Sequence, residues 1–384
     1  MSSKPHSYSD LDPRNLTDQT SVDDVGSSMH LRQTQEFPRT ETAQPGVPLP
    51  LDENLQHFIH EKKALSDACS QLNPWSIHEP SSRVGSVIAS FKEFPALFVR
   101  RRETPFLHRH LYRAHTPHAI LTVYSAVTTY ADCTDANRSW AIRVLCEAAD
   151  ELTRLPRHSQ GNEKEATQAP SLETADPTPL DKLARTQALL IYQQIRVFDG
   201  DIGLQEQAER DMGTLETWLE DLETYRDNLA ELWLLEEIVL RSRPPQSWER
   251  WIFAECVRRT IWLGYGFIGL VAMLKTVGIG GTPLPGRFAA VHRWTASKHL
   301  WEADSSHAFM MAWREKKQYI VQNLSIQRLP RSIKATDTDD MIKLLLAWLM
   351  GPDEMKQWAS AQVVLQVLEV DKPKTCEEDS GKNS

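Results

Sequence analysis

Apolar residues recur at helical steps through the middle of the chain. After Thr178-Pro179-Leu180-Asp181, the positions Leu183, Leu190, Ile191, Ile195 and Phe198 fall on one side of a 3.6-residue spiral. Thr178 is a good N-cap, Pro179 suits the first helical position, and Asp181 meets the positive end of the helix dipole. Gly200 sits where a terminating glycine belongs. A second stripe follows at Ala208, Met212, Leu215, Leu219, Leu222 and Leu229, in steps of four, three, four, three and seven. Trp248 to Lys275 is apolar on nearly all sides, which places it in the middle of a fold. Its most apolar part, Ile261 to Leu274, has fourteen residues. A membrane span needs about 20, so a buried core helix is expected. No stretch alternates with period two. The pattern predicts an all-α, multi-helical domain.

The polar segments set the boundaries. Residues 1–50 are rich in Ser, Thr, Asp, Gln and Pro with no sustained apolar period, and are expected to be disordered. The helical domain runs from 51 to 370, interrupted by a flexible polar loop at about 156–179. A loose tail occupies 371–384.

Composition sharpens this picture. Twelve tryptophans and nine methionines fit helix packing rather than sheets. A net charge of −9 works against nucleic-acid binding by the chain as a whole, so DNA contact needs a local basic patch. The five cysteines, Cys69, Cys133, Cys146, Cys256 and Cys376, are odd in number and widely spaced, unlike a disulfide framework or a zinc site. The opening residues MSSKPHSYSDLDPR lack the apolar core of a signal peptide. A reducing compartment, nucleus or cytoplasm, is expected.

Candidate chemistry reduces to structure at each position. Gly264-Tyr-Gly266-Phe-Ile-Gly269 matches GxGxxG, but it follows a helical segment and has no acid near 289 to bind a ribose. Small residues that let helices approach, or that simply weaken this helix, are the expected reading. His108, His110, His115 and His118 cluster, yet no pair has the i, i+4 spacing of helical metal ligands. Asp199-Gly-Asp201 reads as a turn. Asp337, Asp339 and Asp340 read as an N-cap with first-turn acids, and Asp339-Asp340-Met-Ile-Lys343 fails the DDxxD pattern of an all-α terpene cyclase. Glu216 to Glu237 holds eight acids and one base among Leu and Trp. It is expected to be the solvated face of an amphipathic helix, with an acidic-hydrophobic partner surface as the functional alternative. Glu255, Arg258 and Arg259 interrupt the most buried segment. Glu255 and Arg259 stand at i and i+4 in the favoured order, so a structural ion-pair network is expected. Arg100-Arg101-Arg102 is too short for a DNA patch. The expectation is therefore no catalytic, cofactor-binding or metal-ligating residue, and no enzyme.

Four blocks in order carry a family resemblance. They are FKEFPALFVRRRETPFLHRHLYRAHTP (91–117), LARTQALLIYQQIRVFDGD with AERDMGTLETW (183–218), WERWIFAECVRRTIW (248–262) and HLWEADSSHAFMMAW (299–313). Together they resemble the regulatory domain of fungal transcription factors of the zinc-cluster and zinc-finger type, especially those linked to secondary-metabolite gene clusters. The resemblance implies an all-α domain in a nuclear regulator, with a complete transcription factor or a coactivator as protein partner and dimerisation as one mode of contact. In that family the domain follows a zinc-built DNA reader of six cysteines or paired Cys/His fingers. Residues 1–68 contain no cysteine, and no C-x2-C occurs anywhere. DNA is accordingly expected to be reached indirectly, or through a module outside this sequence. The alternative reading is an all-α biosynthetic or ligand-binding protein of the same setting, with the His108–His118 cluster and the Trp-rich helices as the first place to look.

Overall fold

The computed structural model describes residues 74–154, 177–275 and 291–370. All of these belong to the unit Leu51–Ser384. The expected disordered segment 1–50, most of the polar loop 156–179 and the tail 371–384 lie outside the described residues. Among the described residues 73% are helical, and the strands amount to one two-stranded ribbon, so the class is all-α.

The first half contributes α1 (Arg83–Arg101), α2 (His118–Ala131), α3 (Arg138–Arg154), α4 (Pro179–Phe198) and α5 (Ile202–Glu223). Two short helices, α6 (Ala230–Trp233) and α7 (Glu237–Ser242), lead to the long α8 (Trp248–Lys275). Then come β1 (Arg293–Thr295), α9 (Lys298–Trp301), α10 (Ser306–Glu315), β2 (Ile320–Gln322), α11 (Leu329–Ser332), α12 (Asp340–Met350) and α13 (Pro352–Val370).

α4 starts as its sequence demands. The Thr178 hydroxyl accepts from the Asp181 N–H at 3.2 Å, and the Asp181 carboxylate accepts from the Thr178 N–H at 3.1 Å, a reciprocal capping box. Gly200 follows its end at φ +99°, a conformation that costs a glycine little. Burial goes beyond the predicted stripe. From Leu183 to Arg196 every residue except Arg185 is buried, polar ones included. The cause is position: α4 packs against α1, α2, α3, α5 and α8 at once.

α8 is the second central element. It is about 42 Å long at 1.5 Å per residue, and it passes a length and hydropathy test for a membrane span. Yet 83% of its most apolar window is buried inside the protein, so it is a core helix. One of its glycines, Gly264, serves packing. A Cβ built on Gly264 would stand 2.6 Å from Cδ2 of Leu219 on α5, which is the close helix approach expected for the GxGxxG run.

Three features differ from the sequence pattern. The ribbon β1–β2, antiparallel with Trp294 opposite Val321, was not foreseen, because three-residue strands are too short to show a period of two. The second apolar stripe stops at Glu223. Leu229 is buried beyond it at φ +53°, with its N–H held by the Asp227 carboxylate at 3.0 Å, so it belongs to the entry of α6 and not to α5. The acidic stretch Glu216–Glu237 is consequently not one helical face; it is the end of α5, a turn, and α6 leading into α7.

The packing at Gly264 gives a direct test. Gly264→Ala should lower the unfolding free energy by about 1–3 kcal/mol through overpacking. Combined with Leu219→Ala, the cost should fall well short of the sum of the two single changes. Urea unfolding of the four proteins measures this; additive effects would mean that the two positions do not touch.

Candidate functional site

Among the described residues the larger of the buried charge groups is positioned by α8. Glu255, Arg258 and Arg259 lie on one helical face, and Glu255 and Arg259 are 0% exposed. Glu255 Oε2 accepts from Nε and Nη2 of Arg258 at 3.0 and 2.7 Å. Its Oε1 accepts from Arg259 Nε at 2.9 Å and from the Thr295 N–H at 3.0 Å. Arg259 spends its remaining donors on distant segments. Nη1 donates to the Pro105 carbonyl at 3.2 Å, and Nη2 to the Thr295 carbonyl at 2.8 Å and to Asp339 Oδ2 at 2.6 Å. The guanidinium also lies 3.8 Å from the Trp301 ring centre. Arg258 Nη1 reaches the Asp227 carbonyl at 3.1 Å.

Two acids and two bases make the cluster neutral. Burial pushes the Glu255 carboxyl up, but Arg258 and Arg259 outweigh it and hold it below its ordinary value. Burial opposes the Arg259 charge too, and Asp339 and Glu255 more than compensate, so its pKa is raised. The predicted i, i+4 pair is thus present, and the network is wider than the sequence indicated. Asp339 was legible as an N-cap, and it does accept from the Ile342 N–H at 2.9 Å. Its second oxygen serves Arg259, a role with no local signal. The pair Arg196–Asp211, at 2.9 Å with both side chains buried, was also missed. Asp199, read as part of a turn, accepts from Tyr130 and from Arg138 at 2.7 Å, tying α2 and α3 to the end of α4.

The histidine cluster is divided. His108 is buried; its Nε2–H donates to the Trp301 carbonyl at 2.7 Å and its Nδ1 accepts from the His110 N–H at 3.1 Å. Both ring nitrogens are engaged, while His115 and His118 are exposed. Burial lowers the His108 pKa to about 3, so the ring stays neutral. The His108 N–H meets Cys256 Sγ at 3.4 Å, and burial pushes that thiol up to about 12. Cys133 and Cys146 are free; Cys69 and Cys376 lie outside the described residues. Among the described residues no group of three or more His, Cys, Asp or Glu is placed to hold a metal ion. The basic triplet ends α1, where Arg100 pairs with Glu93 and Arg101 lies 3.9 Å from Glu103.

Two open clefts flank these elements. One of about 360 Å³ lies over the charge cluster, lined by Arg101, Glu103, Arg109, Trp301, Glu302 and Asp340 among others. Partial burial raises the Glu103 pKa there, against the lowering influence of Arg109 and Arg101. The other, of about 450 Å³, is more apolar, with Ile88, Phe198, Met212, Val271 and Leu274 in its lining.

Against this geometry the comparisons gain meaning. Transcription factor gsfR2 of Penicillium aethiopicum is 26% identical over 278 residues, which cover 72% of this chain and 62% of that protein. This chain is similar to a fungal transcription factor. No family model matches it, and no solved structure matches it. The four blocks that carry the resemblance meet in the core. Pro105 and His108 come from the first, Gln187 from the second, Glu255 and Arg259 from the third and Trp301 from the fourth. Gln187 joins the cluster by donating to the Phe106 carbonyl at 2.9 Å and accepting from the Tyr112 hydroxyl at 2.7 Å. What unites the blocks is a buried polar scaffold.

Two predictions follow from this scaffold. Arg259→Met leaves Glu255 and Asp339 buried without their shared partner and should cost about 3–5 kcal/mol. Arg259→Lys should recover little, because one ammonium cannot span the same acceptors; chemical unfolding at neutral pH would contradict the network if either variant matched the parent. The second concerns acid. Folded His108 stays neutral down to about 3, whereas the unfolded ring takes a proton near its ordinary value of about 6.5. Between those limits the unfolded state binds the extra proton, so stability falls with pH by up to about 1.4 kcal/mol per unit from this group. Glu255 acts in the same direction at lower pH, since its depressed pKa gives stability that is lost as the folded carboxylate protonates. His108→Gln, which keeps a donor for Trp301, should have a lower Tm at pH 7.5 but a shallower decline from pH 6.5 to 4.5. An unchanged slope would remove His108 from the titration.

Proposed function

We propose that this protein is a transcription regulator of a fungal, secondary-metabolite setting, working in the nucleus through protein contacts. The observation that carries the reading is the similarity to a fungal transcription factor over 72% of the chain. The chain spans about 62% of that relative's length, so its whole activity is carried over only as part of this proposal. Two features support action through protein contacts. The net charge is −9, and the basic triplet at 100–102 is engaged with neighbouring acids at Arg100 and Arg101. The zinc-ligand spacings of the family's DNA reader do not occur in these 384 residues. The helical domain would then hold surfaces in place for a complete transcription factor or a coactivator, and would meet DNA through such a partner.

The reading is tested by joining the full chain to an unrelated DNA-binding module and measuring transcription of a reporter that carries the module's site. Reporter output should rise or fall several-fold relative to the module alone; an unchanged output sinks the proposal. In parallel, the purified chain should show no DNA affinity that declines with the logarithm of salt concentration, because few counterions would be released. Tight, salt-sensitive binding to DNA by the chain alone would overturn the indirect version.

A further inference from the structure

Single exposed apolar side chains are ordinary on any protein surface. Trp140, Ile202 and Met311 are of that kind, each on a separate element, while Leu121 shares α2 with Tyr124 one turn on, whose hydroxyl donates to the Val99 carbonyl at 3.4 Å. The α6–α7 corner differs. Within six residues it exposes Trp233 at 37%, Leu234 at 80% and Ile238 at 81%. The same corner turns four leucines inward: Leu229 and Leu240 are buried, and Leu232 and Leu235 pack partly against the core. The outward set is therefore not a loose end.

The corner is fixed to the scaffold. Asn228 donates to the Val291 carbonyl at 2.9 Å and accepts from the Arg293 N–H at 2.9 Å. Trp313 Nε1–H donates to the Leu240 carbonyl at 3.0 Å, and the Arg293 guanidinium lies 5.4 Å from the Trp233 ring centre. Arg258, from the buried cluster, holds the Asp227 carbonyl. Side chains presented from a fixed backbone lose little freedom on binding.

Charge says what kind of partner fits. From 227 to 240 the chain carries Asp227, Glu231, Glu236 and Glu237 and no base, while Arg293 over Trp233, Arg241 and Lys317 at Glu237 and Arg258 at Asp227 approach from other segments. Glu237 is engaged by Arg241 and lies 3.9 Å from Lys317, whereas Glu231 and Glu236 are exposed and form no ion pair among the described residues. Two copies of this surface would bring like charges together, which disfavours self-association through it. An apolar ridge bordered by Glu231 and Glu236, unpaired among the described residues, is complementary to an amphipathic helix with a basic rim, whose side-chain grooves accept such a ridge.

We propose that Trp233, Leu234 and Ile238 form a docking ridge for a basic amphipathic helix of a partner protein. The inference rests on the protein-contact reading above and names its surface.

The test uses the full chain and two synthetic helical peptides, one of leucine and lysine and its twin of leucine and glutamate. Fluorescence anisotropy should show binding of the lysine peptide and none of the glutamate twin. The double variant Leu234→Ser/Ile238→Ser removes apolar tips without touching charge, and should weaken binding at least tenfold with Tm unchanged. Leu121→Ser, at a separate exposed site, should leave binding as it was. Equal affinity of the double variant means the peptide is held by general charge alone and overturns the ridge. A wild-type dimer that the double variant dissolves would assign the ridge to a second copy and overturn the proposal as well. The tethered reporter separates the two readings. If the wild-type fusion alters transcription and the double variant does so equally, the ridge fails while the regulator stands. If the wild-type fusion is silent, the regulator fails and the peptide measurement decides the ridge independently.

Discussion

The Arg259 guanidinium is the tie on which the middle of this protein depends. A lone charge at that depth would be prohibitive, and the sequence offers no apolar substitute. The interior instead closes a neutral set of two acids and two bases, and fills the remaining donors of Arg259 with the carbonyls of Pro105 and Thr295. Residues 105, 259, 295, 301 and 339 are far apart in the chain. One side chain thus fixes the loop after α1, the ribbon, α9 and the start of α12 relative to α8. A planar, always charged group with five donors in a fixed fork suits that task, and no other side chain combines these properties.

A second level of polar fastening accompanies the burial of α4, which carries Gln187 and Arg196. Gln187 is met by Phe106 and Tyr112, and Arg196 by Asp211 of α5. Asp199, just beyond the helix, collects Tyr130 and Arg138. Each contact satisfies a polar group and joins α4 or its end to another segment of the chain. These bonds set how neighbouring helices pair where apolar contact alone would be tolerant of sliding.

The division between core and surface also bears on function. The blocks that resemble the fungal regulators supply most of the buried scaffold, which Thr295 and Asp339 complete from outside them. The α6–α7 corner lies outside it, whereas one cleft opens directly onto it at Pro105, Trp301 and Asp339. The acidic, leucine-rich stretch that looked like one helical face is instead broken at Glu223. That break turns Leu234 and Ile238 outward while Leu229 and Leu240 stay inside.

The sequence by itself determined what depends on neighbours along the chain. Helical period placed α4, α5 and α8, capping chemistry placed the start of α4, Gly200 marked its end, and the spacing of Glu255 and Arg259 announced their pair. These are short-range effects, written within a turn or two of helix. Only the tertiary structure decided what depends on residues brought together from afar: Asp339 and Trp301 around Arg259, Asp211 opposite Arg196, Leu219 against Gly264, and the separation of His108 from His115 and His118. Nothing local distinguishes a capping aspartate from one that also neutralises a buried arginine, because the difference lies in which helix packs over it.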